Sequence, residues 1–91
     1  MRADISDNMN QMIESIDGIS ENWEEIVLDE ELTDKCVSVL ENVHSLAITI
    51  QLLLNFNAIW LTDSEHEALD DILSFSTTGI DELLSTDKES N

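Results

Sequence analysis

Proline is absent from this 91-residue chain, and glycine occurs only twice, as Gly18 and Gly79. Hairpins and tight turns draw on these residues, so their scarcity argues against a β-rich fold and for long helices. Cysteine occurs once, as Cys36, which excludes an internal disulfide and fits a reducing, cytoplasmic setting. The stretch Met1-Arg2-Ala3-Asp4 has no apolar run behind it and does not read as a secretory signal. Positive charge is scarcest of all: 3 Lys and Arg stand against 21 Asp and Glu, a formal net charge of −18. A chain this acidic repels phosphate backbones and anionic headgroups, so direct binding of nucleic acid or of a membrane surface is not expected.

What is present argues for a folded domain. Disorder follows high net charge only when apolar content is low, and here 42% of residues are hydrophobic, with 12 Leu and 10 Ile. The length suits one acidic helical domain over residues 1–91, with a polar tail expected to fray from Ser85 to Asn91.

Three helical segments emerge from the spacing of apolar residues. Ile5, Met9, Met12, Ile16, Ile19, Trp23 and Ile26 repeat at intervals of 4 and 3, the seam of an amphipathic helix over about 5–27. Asp4 or Ser6 is its expected N-cap, and its phase runs unbroken through Gly18. A second helix is expected over about 34–61, capped by Thr33 or Asp34, with Val39, Val43, Leu46, Ile50 and Leu53 along one seam. Further apolar lines through Leu40, Ala47 and Leu54, and through Ile48, Leu52, Phe56 and Ile59, leave a narrow polar strip, so this helix should be buried on most sides. A third helix, about 64–84, opens with capping-box spacing at Thr62 and Glu65 or at Ser64 and Glu67. Leu69, Leu73, Ser76, Ile80 and Leu83 then form its seam.

The middle segment imitates a membrane span, because residues 42–62 contain no Asp, Glu, Lys or Arg. Asn42, His44, Gln51, Asn55 and Asn57 are costly in hydrocarbon, however, and no basic anchor follows, so a buried helix is expected.

Charge is partitioned in the same three parts. Residues 1–34 hold 11 acids and Arg2, a net −10; residues 35–62 hold Lys35 and Glu41 and are neutral; residues 63–91 hold 9 acids and Lys88, a net −8. Two acidic helices around one neutral, apolar helix point to an antiparallel three-helix bundle with the second helix central. The second helix carries more apolar surface than two thin seams need cover. That excess points to self-association as a homodimer through Val43, Ile50, Leu53, Leu54 and Trp60, or to a groove for another partner.

Catalytic chemistry has little to build on. No nucleophile elbow, Cys-His signature or Gly-rich phosphate loop occurs, and acids around Cys36 disfavour a thiolate. Glu41 and His44 have the i, i+3 spacing of di-iron carboxylate bundles, but only one copy is present, so they are a weak metal candidate and no metal or cofactor is expected. The acidic runs lack the D-x-D-x-D-G pattern of a calcium loop.

The charge is therefore the feature to explain. Acids at i, i+3 and i+4 on a helix lie about 5–6 Å apart, comparable with phosphates along a strand. Solubility in a small domain needs a charge magnitude of only about 2–8, and the excess at −18 points to a basic partner. The expected contact residues are Glu21, Glu24, Glu25, Asp29, Glu30 and Glu31 in a first block, and Asp63, Glu65, Glu67, Asp70 and Asp71 in a second. In size and charge the chain resembles the small acidic helical inhibitors encoded by bacteriophages, among them anti-CRISPR and anti-restriction proteins that mimic nucleic acid. The resemblance implies a non-enzymatic inhibitor that occludes a nucleic-acid-binding protein or nuclease complex; it carries no individual residue across. The alternative is a helical assembly or chaperone-like module acting through the apolar second helix.

Overall fold

The computed structural model describes residues 2–89, and side chains within 5–85. The described residues are all-α, without strands, in four helices: α1 (Arg2–Glu21), α2 (Trp23–Leu28), α3 (Glu30–Asn55) and α4 (Asp63–Glu89). The molecule is a rod of 45 × 21 × 17 Å.

α3 and α4 form the most extensive pairing and run antiparallel, with Leu40 against Gly79 at one level and His44 against Ser76 at the next. α1 runs parallel to α4, since Ser6 near its start reaches Glu65 near the start of α4 and Ser20 near its end lies beside Phe75 and Thr78. Two apolar clusters lie inside. One takes Ile5, Met9 and Met12 from α1, Val43, Ala47 and Ile50 from α3, and Leu61, Leu69 and Ile72 from the following segment. The other gathers Ile19, Ile26, Leu40 and Leu83 at the opposite end. Between them Ser76, fully buried, faces His44.

The expected boundaries require correction, each for a local reason. The helix expected over 5–27 divides at Asn22, where the backbone turns to φ −108°, ψ 17°. Its side-chain amide donates to the Gly18 carbonyl at 2.8 Å, and its backbone N–H is shared between Gly18 and Ile19 at 3.3 Å each. Such local bonding competes with the helical ladder. α1 begins at Arg2, so Ser6 lies inside it and is no cap; its hydroxyl donates to Glu65 Oε2 at 3.1 Å instead. The Asp4 side chain lies outside the described residues.

α3 starts four residues before the expected 34. Asp29 is its N-cap, with Oδ1 accepting from the Glu31 and Leu32 N–H groups at 3.0 and 3.3 Å. Thr33, assigned a capping role from sequence, is buried and donates to the Ile26 carbonyl at 2.7 Å, tying α2 to α3. α3 also ends at Asn55 rather than 61. Asn57 is left-handed, φ 59°; its N–H bonds Leu54 O at 3.0 Å and the Ala58 N–H bonds Leu53 O at 2.9 Å. This is the Schellman closure, and Asn is one of the few side chains that tolerate the conformation.

The α4 start follows the capping box. Thr62 N–H donates to Glu65 Oε1 at 3.0 Å while Glu65 N–H donates to Thr62 Oγ1 at 3.2 Å. α4 continues to Glu89, beyond the expected 84, and residues 90–91 of the polar tail lie outside the described residues.

α3 is not buried on most sides. It buries one face, through Thr33, Leu40, Val43, Ala47 and Ile50, and leaves Leu32, Val39, Leu46, Ile48 and Leu52 exposed. By length and composition it is apolar enough to cross a membrane, a property it shares with core helices of soluble proteins.

Candidate functional site

The two acidic blocks occupy opposite ends of the rod. Glu21 ends α1, Glu24 and Glu25 lie in the first turn of α2, and Glu30 and Glu31 in the first turn of α3, all exposed. This end also holds the Ile19, Ile26, Leu40 and Leu83 cluster. Asp63, Glu65, Glu67, Asp70 and Asp71 begin α4 beside the start of α1, as the Ser6 to Glu65 bond fixes.

Some of these carboxylates have structural duties. First-turn acids on α2 and α3 face the positive ends of those helix dipoles. Asp29 caps α3. Both Glu65 oxygens are engaged, one by Thr62 N–H and one by the Ser6 hydroxyl, and the residue is half-buried. Glu31 lies 3.4 Å from Lys35 Nζ with both side chains exposed, a pair that solvent leaves nearly neutral for stability. Lys35 is the one Lys or Arg among the described side chains.

A groove that the block-by-block reading missed connects the two ends. Between α1 and α4 lies a cleft of about 400 Å³ lined by Ile13, Ile16, Asp17, Ser20, Ala68, Asp71, Ile72 and Phe75. Ser20 and Phe75 also line a second cleft of about 260 Å³ with Trp23, Thr78, Gly79 and Glu82. Asp7, Glu14 and Glu21, spaced by sevens, lie on the α1 flank beside Asp17, and Glu67 precedes Asp71 by one turn on α4. The acids that line these clefts are Asp17, Asp71 and Glu82, and nothing in the sequence revealed that α1 and α4 would stand side by side.

The opposite groove, between α1 and α3, contrasts with it. Asn8, Gln11, Ser15, Asn42, Val39 and Leu46 line a cleft of about 190 Å³ with no ionisable side chain. Of the residues assigned to self-association, Val43 and Ile50 are buried in the core, Leu53 and Leu54 are half-buried, and Trp60 is 61% exposed. Apart from Trp60, the large apolar side chains that reach solvent are others: Leu32, Val39, Leu46, Ile48 and Leu52 on α3, Phe56 at its end, and Leu28 and Leu84.

The remaining chemistry is sparse. His44 Nδ1 is 3.0 Å from Ser76 Oγ, and Glu41 is exposed. Among the described residues no group of three or more His, Cys, Asp or Glu is gathered to hold a metal. Cys36 is half-buried, and burial pushes its thiol above the ordinary value, which disfavours the nucleophilic thiolate. Compared with protein-family models, curated proteins and solved structures, the chain matches none.

Proposed function

We infer that this is a non-enzymatic, cytoplasmic binding protein that sets its carboxylate-lined helices against a Lys- and Arg-rich surface of a partner protein. In its most specific form the activity is inhibition: the acidic rows compete with phosphates for the nucleic-acid-binding channel of a nuclease or regulator. In this reading α1 and α2 act as one arm, making the chain a three-arm, up-down-up bundle. The observation that carries it is the exposure of acids on α1, α2 and α4 with so few cations to answer them. Like charges at helical spacings cost a few tenths of a kcal/mol per pair within the protein, and a cationic partner turns that cost into affinity and a fast, salt-sensitive association.

Capture from host lysate at low and high salt tests the reading. A basic nucleic-acid-binding protein, released by salt and lost when Glu24, Glu25, Glu67 and Asp70 are reversed to Lys with an unchanged helical CD spectrum, is the expected outcome. Retention of the same partner by the charge-reversed protein would falsify the electrostatic idea.

A second reading has its own support. Val39 and Leu46 on one flank of α3, and Ile48 and Leu52 on the other, expose apolar surface, which suits a homodimer or a helical assembly module. Such contacts hold or strengthen as salt rises. Leu46→Glu should then halve the particle mass in solution.

A further inference from the structure

The groove between α1 and α4 is apolar along its floor and acidic on both walls, and the combination selects an occupant. Ile13, Ile16, Ala68 and Phe75 make the floor, and one acid from each helix, Asp17 on α1 and Asp71 on α4, also lines it. Trp23 and Glu82 mark its far end. Ser20, Ala68 and Thr78 are small, so no long side chain from these positions fills it. From Ala68 to Glu82 α4 rises about 21 Å, at about 1.5 Å per residue, which is the length of four turns of helix.

A nucleic-acid strand, an anionic lipid or a second copy of this chain would each bring negative charge to negative walls. A neutral apolar helix would strip water from Asp17 and Asp71 and offer nothing in return. We propose that the groove binds a basic amphipathic helix of a partner protein, about four turns long. Its apolar residues at i, i+3, i+4 and i+7 fill the floor, and Lys or Arg on either flank reach Asp17 and Asp71. Lys and Arg suit both surfaces at once, because their aliphatic stems lie along apolar walls while the charge extends to the rim. Helices dock in grooves through anchors of this spacing. The inference rests on the charge-recognition reading above and adds a requirement to it: positive charge without an apolar face is insufficient.

The probe is a 15-residue peptide of Leu and Lys with Leu at the helical spacing, titrated into the full chain carrying Trp60→Phe. Trp23 fluorescence then reports from the groove. One control peptide has the same composition with Leu and Lys scrambled; another has Gln in place of Lys. The amphipathic cationic peptide should bind at least tenfold more tightly than either, shift Trp23 emission, and weaken at least tenfold when Asp17→Lys and Asp71→Lys are combined. Ser20→Phe, at an exposed position shared by both clefts, should block binding without altering charge or the CD spectrum. Equal affinity for the scrambled peptide, or full binding to Ser20→Phe, overturns the groove and leaves charge recognition standing. No binding of either cationic peptide overturns both.

Discussion

Ser76 Oγ stands between two partners, donating its single proton to the Leu73 carbonyl at 3.1 Å and lying 3.0 Å from His44 Nδ1. While that proton is on the Leu73 carbonyl, Oγ can only accept from His44, an arrangement that requires the Nδ1–H tautomer. The pair forms a polar layer between the two apolar clusters, at a level where α3 and α4 must be in register. Nitrogen-15 NMR of the neutral imidazole should show the Nδ1–H tautomer. Ser76→Ala should cost about 1 kcal/mol, the net worth of one hydrogen bond, read from the urea midpoint at constant m.

The two glycines should respond oppositely to alanine. A Cβ at Gly18 would meet nothing within 4 Å, so Gly18→Ala should stabilise α1 by about 0.5–1 kcal/mol through helix propensity alone. A Cβ at Gly79 would lie 3.0 Å from Leu40 Cδ1, and Leu40 is fully buried with little room to move. Overpacking of about 1–3 kcal/mol should outweigh the propensity gain there. Thermal unfolding of the two variants separates the signs.

Two of the acids are caps, and their removal should be felt as lost stability rather than as lost charge. Asp29→Ala should destabilise by about 1 kcal/mol, while Asp29→Asn or Asp29→Ser should retain most of the cap. Glu65→Ala removes acceptors for the Thr62 N–H and for the Ser6 hydroxyl, so it should cost at least as much as Asp29→Ala. Charge reversal at exposed Glu67, past the first turn of α4 and one helical turn from Asp63, Asp70 and Asp71, should raise the melting temperature slightly by relieving repulsion.

Cys36 gives a pH-dependent signature. Burial raises its folded-state value above the unfolded one, so the folded protein holds the thiol proton to higher pH. Its contribution to stability is unchanged below the unfolded value and is lost as pH rises through the folded one. Iodoacetamide labelling should therefore follow a curve displaced to higher pH in the native protein than in urea. Coincident curves would contradict the burial.

How far the fold could be read in advance depended on whether a local signal stood alone. The Thr62–Glu65 box was legible because its spacing falls where the apolar run stops, and both of its bonds form. The Asn22 break was hidden because the seam keeps phase from Ile19 to Ile26 across it, and both residues are buried in one cluster. Asp29 was hidden among adjacent carboxylates, where composition does not distinguish a cap from a solvated charge. The end of α3 was masked because Ile59, Trp60 and Leu61 continue an apolar run after Asn57 has turned the chain; Leu61 still enters the core, from the connecting segment. The acidic residues themselves were legible as a surface, since nearly all described ones are exposed. Their arrangement along a shared groove was not, because it depends on α1 and α4 lying parallel, a tertiary relationship that no spacing within either segment encodes.

Carboxylates that occupy a partner's nucleic-acid site must exclude nucleic acid from it, and a competition experiment reads that exclusion. The basic partner recovered by salt-sensitive capture is held with labelled duplex DNA or RNA, and this protein is titrated in. Displacement of the nucleic acid without a ternary complex is expected, weakening as salt rises and absent for the charge-reversed variant. A stable complex of all three components would contradict it.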